Sequence, residues 1–283
     1  MVAHRGASYQ APESSRAAIE LAIASGIDYI ELDVQRTVDN KLIIFHDDNL
    51  KRLTNAEQVF PERKNYQLHN FTLAELKKLD YGSWFNEKYP ERASKNYRNL
   101  EIMTLAEVVS LIKNAPAKVG LALELKNPYL YKNIEAELVE VLEQNQLQEE
   151  KDKKARVIFL SFSPLSLERL SELRPQSPRL LLTKSNFASR KRWHGWLDIT
   201  AEVADGIAPK GHVSFPWYIG AAHKRGLFVL PYVINRSWQW QFLSWFSADG
   251  YITDRPGLLS KIYHRAQELE EKAAELKEDV FQD

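Results

Sequence analysis

Short apolar runs, each closed by glycine or polar punctuation and followed by a helical pattern, recur along this chain of 283 residues. That alternation constrains the fold more than any other feature, because strand–helix–strand repeats build parallel sheets with crossover helices. Eight runs read as strands: Met1–Ala3, Ile27–Val34, Lys118–Leu125, Arg156–Leu160, Arg179–Leu182, Gly206–Ala208, Leu227–Ile234 and Gly250–Ile252. Helices are expected at Glu13–Ser25, Leu105–Asn114, Tyr129–Gln146, Pro164–Leu173, Pro216–Arg225 and Trp238–Ser247, with no clear pattern over Ser185–Thr200. A chain of this length holds two average domains or one large barrel. Eight strands with interleaved helices select the second, a single α/β domain over residues 1–283 folded as a (β/α)8 barrel.

Two segments stand outside the repeat. Lys41–Phe45 alternates in polarity and turns back from Val34 through Asp39 and Asn40, so it is expected to form a short hairpin that carries His46 toward the barrel mouth. From Asp47 to Ile102 the sequence is turn-rich and laced with aromatics, too long for a strand-to-helix loop and too short for a robust domain of its own. It reads as a small insertion after the second strand that caps the barrel. Thr72 with Glu75 and Thr104 with Glu107 are written as capping boxes, in which side chains satisfy helix-start N–H groups. The stretch Pro256–Asp283 reads as a charged, solvated C-terminal helix that carries no chemistry.

Bulk composition removes some function classes. Thirty-eight Lys and Arg offset thirty-eight Asp and Glu, so no overall field draws the molecule to nucleic acid, and any anion site must be local. An apolar fraction of 44% supports a sizeable core. No run approaches the roughly 18 apolar residues of a membrane span, so no transmembrane segment is expected and contact at a membrane surface stays open. The absence of cysteine excludes disulfides and thiolate metal sites and suits the cytoplasm. Only Met1, Val2 and Ala3 precede His4, so a longer precursor with an extracytoplasmic destination is the alternative.

In a β/α barrel the active site lies at the C-terminal ends of the strands, so charged residues there carry a functional reading. The second strand runs Y-I-E-L-D-V, and a period of two puts Glu31 and Asp33 on one face. The third runs L-A-L-E-L-K, which aligns Glu124 with Lys126. Three carboxylates converging in a barrel mouth repel one another unless a positive charge sits among them, and an oxygen-only donor set selects Mg²⁺ or Ca²⁺ over zinc. One hard divalent cation is therefore expected. The bland reading, surface charges on edge strands, fits poorly, because these strands are apolar on both sides and buried unpaired carboxylates are costly.

The first strand ends in A-H-R-G, supplying the His4 imidazole, the Arg5 guanidinium and a glycine expected to admit close approach of a ligand. His46, in I-I-F-H-D, is a second imidazole. Either histidine alone is more often a structural residue, but a pair beside a cation, with Arg5 and Lys126, makes a phosphoryl site with two groups to exchange protons. His69, His194, His212, His223 and His264 are expected to be inert. Trp238, Trp240 and Trp245 are expected to pack against the barrel, since Trp238 and Trp245 stand one heptad apart as a buried stripe would.

Together these residues resemble the glycerophosphodiester phosphodiesterase family over nearly the whole chain. The likeness runs through A-H-R-G-A and A-P-E up to Glu13, E-L-D-V at 31–34, F-H-D at 45–47, D-N-L-K-R at 48–52 and L-K-K-L-D-Y-G-S-W-F at 76–85. It continues with E-L-K at 124–126, S-F-S at 161–163, P-Y-V-I-N at 231–235 and D-G-Y-I-T-D-R-P at 249–256. Each fragment is weak alone; their order and spacing are specific. The resemblance implies a TIM-type barrel with a small insertion after the second strand, acting on small-molecule glycerophosphodiesters to give glycerol 3-phosphate and an alcohol. It implies that Glu31, Asp33 and Glu124 bind the metal, that His4 and His46 are the acid–base pair, and that Arg5 and Lys126 contact phosphate. It also places Glu13 near the metal and Tyr232 and Asn235 near the mouth. The chain departs from the family's usual P-E-N-T with Ser14 and Ser15, and from its W-T-V-N with Tyr232 through Asn235.

Two rival expectations remain. Seven tryptophans motivate a lysophospholipase D acting on lipid-like substrates. A non-catalytic phosphodiester-binding barrel would be expected to have lost a histidine or a carboxylate, and this chain keeps all five.

Overall fold

The computed structural model describes residues 1–115, 118–147, 149, 154–184 and 190–264. In chain order its strands are β1 (Val2–His4), β2 (Tyr29–Arg36), β3 (Leu42–Ile44), β4 (Gly120–Leu125), β5 (Val157–Ser161), β6 (Arg179–Leu182), β7 (Gly206–Ala208), β8 (Phe228–Val229) and β9 (Ile252–Thr253). Eight are parallel neighbours in the order β8-β7-β6-β5-β4-β2-β1-β9. Single parallel bridges from Lys210 to Tyr232 and from Tyr232 to Ile252 carry the ring across to β9 and close the barrel. The run Leu227–Ile234, expected as one strand, gives the ladder only Phe228 and Val229. Pro231 has no N–H to donate, and past it only Tyr232 pairs. β3 pairs antiparallel with β2, with Val34 opposite Ile44, as the expected hairpin.

Seven helices labelled here lie between these strands: α1 (Arg16–Ala24), α2 (Leu105–Lys113), α3 (Ile134–Gln144), α4 (Pro164–Leu173), α5 (Arg190–Val203), α6 (Pro216–His223) and α7 (Ser237–Trp245). α1 starts three residues later than expected, because Ser14 takes a left-handed φ of +56° and Ser15 is the N-cap, its hydroxyl accepting from Ala18 N–H. α3 starts at Ile134 because Pro128–Leu130 forms a 3-10 turn and Asn133 is left-handed, at φ +63°. α5 occupies the stretch that gave no clear pattern. Its buried stripe is thin, Trp193, Leu197 and Thr200, and the surrounding charges mask it. Both expected capping boxes form, at Thr72 with Glu75 and at Thr104 with Glu107.

The aromatic stripe on α7 is turned the other way from the expectation. Trp238 is 59% exposed and Trp245 81%, while Leu243 is buried and Trp240 packs edge-on to Tyr251 with centroids 6.4 Å apart. Residues one heptad apart do share a face, but the period alone does not say which face is inward, and here Trp240 and Leu243 fill it. Gly6 also has a different partner from the expected ligand. At φ +77°, a Cβ on Gly6 would sit 2.7 Å from the backbone carbonyl of Ala18, so its bareness lets α1 pack on the β1 turn.

Inside the barrel, Val2, Tyr29, Ala122, Ile158, Leu160, Leu180, Leu182, Ala208 and Ile252 form one apolar cluster. Each strand's next inward position is two residues further toward the mouth, which fixes where its polar residues emerge. Residues 47–102 pack short helical turns over β3 around Leu50, Tyr66, Phe71 and Tyr81, with Phe45 and Tyr81 ring centroids 5.4 Å apart. Residues 256–264 are helical; the E-L-E-E-K-A-A-E-L-K-E stretch lies outside the described residues. Among the described residues no helix is long and apolar enough to cross a membrane.

Candidate active site

The inward parity of the strands delivers the charged residues to one place. Glu31 follows Tyr29 and precedes Asp33 on β2; Glu124 follows Ala122 on β4; His4 follows Val2 on β1. Register sets them side by side, with His4 opposite Glu31 and Asp33 opposite Glu124. The three carboxylates are 2%, 1% and 7% exposed, and each offers an oxygen within 4.8 Å of the others. Burial and the neighbouring charges of Asp33 and Glu124 push the Glu31 pKa well above the usual range. Burial and Asp33 push Glu124 up to about 7. Burial acts the same way on Asp33, but Lys126 and Arg5 outweigh it and hold that carboxyl at about 2.

Two cations enter this cluster. Arg5 donates its backbone N–H to Glu31 Oε2 at 3.0 Å and an Nη1 proton to Glu13 at 2.9 Å, and its Nε lies 3.3 Å from Asp33. Lys126, just past β4, puts Nζ 2.7 Å from Glu124 and 3.3 Å from Asp33. Even so, Glu31 Oε1 is buried with no hydrogen-bond partner. Three buried carboxylates, an orphaned oxygen among them, and no sulfur or nitrogen in the triad make a donor set that suits a hard divalent cation.

Both imidazoles are anchored from behind. His4 Nδ1 donates to Asp254 Oδ1 at 2.6 Å, and His46 Nδ1 donates to Asp47 Oδ1 at 2.6 Å. An ionised carboxylate only accepts, so the proton belongs on Nδ1 and Nε2 is left to face forward. His4 Nε2 lies 3.9 Å from Glu31. Burial opposes ionisation of Asp254, but hydrogen bonds from His4, Asn235 and Ser8 lower its pKa to about 2. Burial and then Arg5 lower His4, outweighing the upward pull of Asp254. Asp47 lies below the usual carboxylate range: burial raises it, and the Arg52 fork and His46 reverse that. Arg52 also donates to Glu13 at 3.0 Å, so Glu13 ties the first strand's arginine to the residues behind His46.

A cavity of about 630 Å³ opens on these groups, with His4, Arg5, Glu31, His46, Glu124 and Lys126 on one side. The opposite wall includes Leu160, Phe162, Leu182, Lys184, Lys210 and Tyr232. Seven of the expected site residues therefore line one cavity, while Asp33 is buried opposite Glu124 and Glu13 and Asn235 stand behind the lining. Tyr232 lines the cavity and donates its hydroxyl to the Thr183 carbonyl at 2.9 Å. Asn235 sits behind Asp254, donating to it at 2.6 Å and accepting from its backbone N–H at 2.9 Å. His212, expected to be inert, is exposed at the cavity wall. Asp254, Asp47 and Arg52 had not been singled out as site residues. Two of them carry a signal: Asp254 in T-D-R-P follows the inward Ile252 by two, and Asp47 in F-H-D follows His46 by one, whereas nothing in D-N-L-K-R points Arg52 at the site.

Comparison with known proteins agrees with this architecture. Residues 4–258 match the family model described as the Glycerophosphoryl diester phosphodiesterase family. A glycerophosphodiester phosphodiesterase of Bacillus subtilis is 35% identical over 263 residues, 92% of this chain and 85% of the relative. One from Caldanaerobacter subterraneus is 31% identical over 94% of this chain and 98% of its own length. Among solved structures, an Oleispira antarctica phosphodiesterase in complex with the product sn-glycerol-3-phosphate superposes with a TM-score of 0.74 at 29% identity, covering 92% of this chain and 94% of that one. With matches of this extent, the chain belongs to the glycerophosphoryl diester phosphodiesterase family.

Proposed function

We propose that the protein hydrolyses glycerophosphodiesters to glycerol 3-phosphate and an alcohol, using His4 and His46 as its acid–base pair and one divalent cation, Mg²⁺ or Ca²⁺, held by Glu31, Asp33 and Glu124. The enzyme class is that of its family, phosphoric diester hydrolysis. The observation that carries the rest is the pair of imidazoles, each with Nδ1 anchored on an aspartate, in the wall of one cavity with Glu31 and Glu124, whose carboxylates cluster with that of Asp33. When bound, a hard cation supplies charge stabilisation to phosphoryl oxygens.

The residues themselves divide the remaining work. Arg5 and Lys126 stand where they neutralise the diester's oxygens, and their carboxylate contacts fix them there before substrate arrives. One Nε2 takes the proton of the attacking oxygen as its bond to phosphorus forms. The other Nε2 gives a proton to the leaving oxygen as the second bond breaks. Asp254 and Asp47 keep both rings in the tautomer that permits this.

The test is turnover of glycerophosphoglycerol, followed by glycerol 3-phosphate release. EDTA should abolish it and Mg²⁺ or Ca²⁺ restore it. Release unaffected by chelation would refute the cation, and no release with any cation would refute the activity.

A second reading, a lysophospholipase D, is favoured by one observation: Phe215, Trp217 and Trp238 are exposed at the starts of α6 and α7, the helices that follow β7 and β8. Comparing glycerophosphoglycerol with lysophosphatidylglycerol isolates the acyl chain, and faster turnover of the lipid would select this reading.

A further inference from the structure

The two walls of the cavity treat their cations differently. On the β1, β2 and β4 side, Arg5 and Lys126 each meet two carboxylates. On the β6 and β7 side, Lys184 and Lys210 line the same cavity, and neither meets a carboxylate among the described residues. Strand parity puts them there: Leu182 and Ala208 belong to the barrel's inner cluster and are register partners, and each lysine lies two residues further toward the mouth. The ladder continues past the strands, with Thr183 N–H donating to the Ala208 carbonyl at 3.1 Å. Like charges at matched positions on neighbouring strands repel, yet here two cations with no carboxylate partner among the described residues follow register-paired positions and line the cavity that also holds the reacting groups.

We propose that Lys184 and Lys210 form a second anion subsite, and that the preferred substrate is a glycerophosphodiester whose alcohol itself carries a phosphate monoester. This deepens the hydrolase reading and rests on it. A dianion matches two ammonium groups, and the subsite shares one cavity with the catalytic groups, so a single small substrate reaches both. The same wall disfavours a quaternary ammonium head group. Such cations bind on aromatic faces, and the Lys184 ammonium already sits 5.8 Å over the Phe162 ring. His212, beside Lys210 and exposed at the cavity, adds a further donor to the subsite.

The experiment compares kcat/KM for three substrates: glycerophosphoglycerol, glycerophosphoglycerol bearing a terminal phosphate, and glycerophosphocholine. The phosphate-bearing substrate should lead glycerophosphoglycerol, whose alcohol is uncharged, by about tenfold or more, the worth of one charge-assisted contact, with the choline ester slowest. The advantage should lie in KM, shrink as salt is raised, and vanish in the K184A/K210A double variant while K184R/K210R keeps it. Equal kcat/KM for all three, a preference for choline, or an advantage that survives K184A/K210A would overturn the subsite and leave the hydrolase reading standing. No turnover of any of the three would overturn both.

Discussion

His4 reaches across the whole chain for its partner: its Nδ1 lies 2.6 Å from Asp254 Oδ1, 250 residues away in sequence. Barrel closure makes the contact, because β1 and β9 are neighbours, with Ala3 opposite Thr253. Asp254 is itself fixed by Asn235 and Ser8. The aspartate therefore sets the ring's tautomer and angle from behind, without itself lining the cavity.

Asp254→Asn should lower kcat about 100-fold or more, the scale seen when a histidine loses its orienting carboxylate. KM should change little. Losing the anion also removes the group that raises the His4 pKa, so the pH-rate limb belonging to His4 should move to lower pH. A rate loss with an unmoved profile would assign Asp254 a purely structural part.

His4→Ala and His46→Ala should each lower turnover at least roughly 100-fold. Both rings are only half-buried, so circular dichroism and melting temperature should stay close to those of the parent protein. Near-normal activity in either variant removes the two-histidine mechanism.

Acid stability should report the same pair. Asp254 has a pKa of about 2 against an ordinary 3.8, so its folded value is depressed. It contributes stability above about pH 4 and loses that contribution as pH falls toward 2. The shift corresponds to about 2 kcal/mol. Urea melts should show Asp254→Asn weaker than the parent near pH 6, with the gap closing by pH 2; a gap independent of pH would contradict the assignment.

The tryptophans should separate by burial. Trp193 is 1% exposed and donates its indole N–H to the Tyr218 carbonyl at 3.1 Å, so Trp193→Ala should cost about 3–5 kcal/mol. Trp245→Ala should stay within about 0.5 kcal/mol. Denaturant midpoints measure both, and comparable losses would place Trp245 in a core.

Much of this was legible in the sequence. The parity of Glu31 with Asp33 and of Glu124 with Lys126 follows from strand period alone, and the hairpin at β3 follows from its turn residues. What was hidden has identifiable causes. The heptad of Trp238 and Trp245 marks a shared face but not its direction. α5 shows too thin an apolar stripe beneath its charges. Parity brings Asp254 to the mouth, but its partner His4 reaches it only through closure of the ring, which no local pattern names. Lys184 and Lys210 follow strands too short to reveal their parity before the register is known.

Crystals grown with Mn²⁺ and measured at its absorption edge would locate the cation on which the proposed chemistry depends. One anomalous peak is expected, bound by oxygens of Glu31, Asp33 and Glu124 at about 2.0–2.6 Å and lost in Asp33→Asn. A peak instead among Glu13, His46 and Asp47, the other acidic cluster among the described residues that could hold an ion, or no peak at saturating Mn²⁺, would contradict the proposed site.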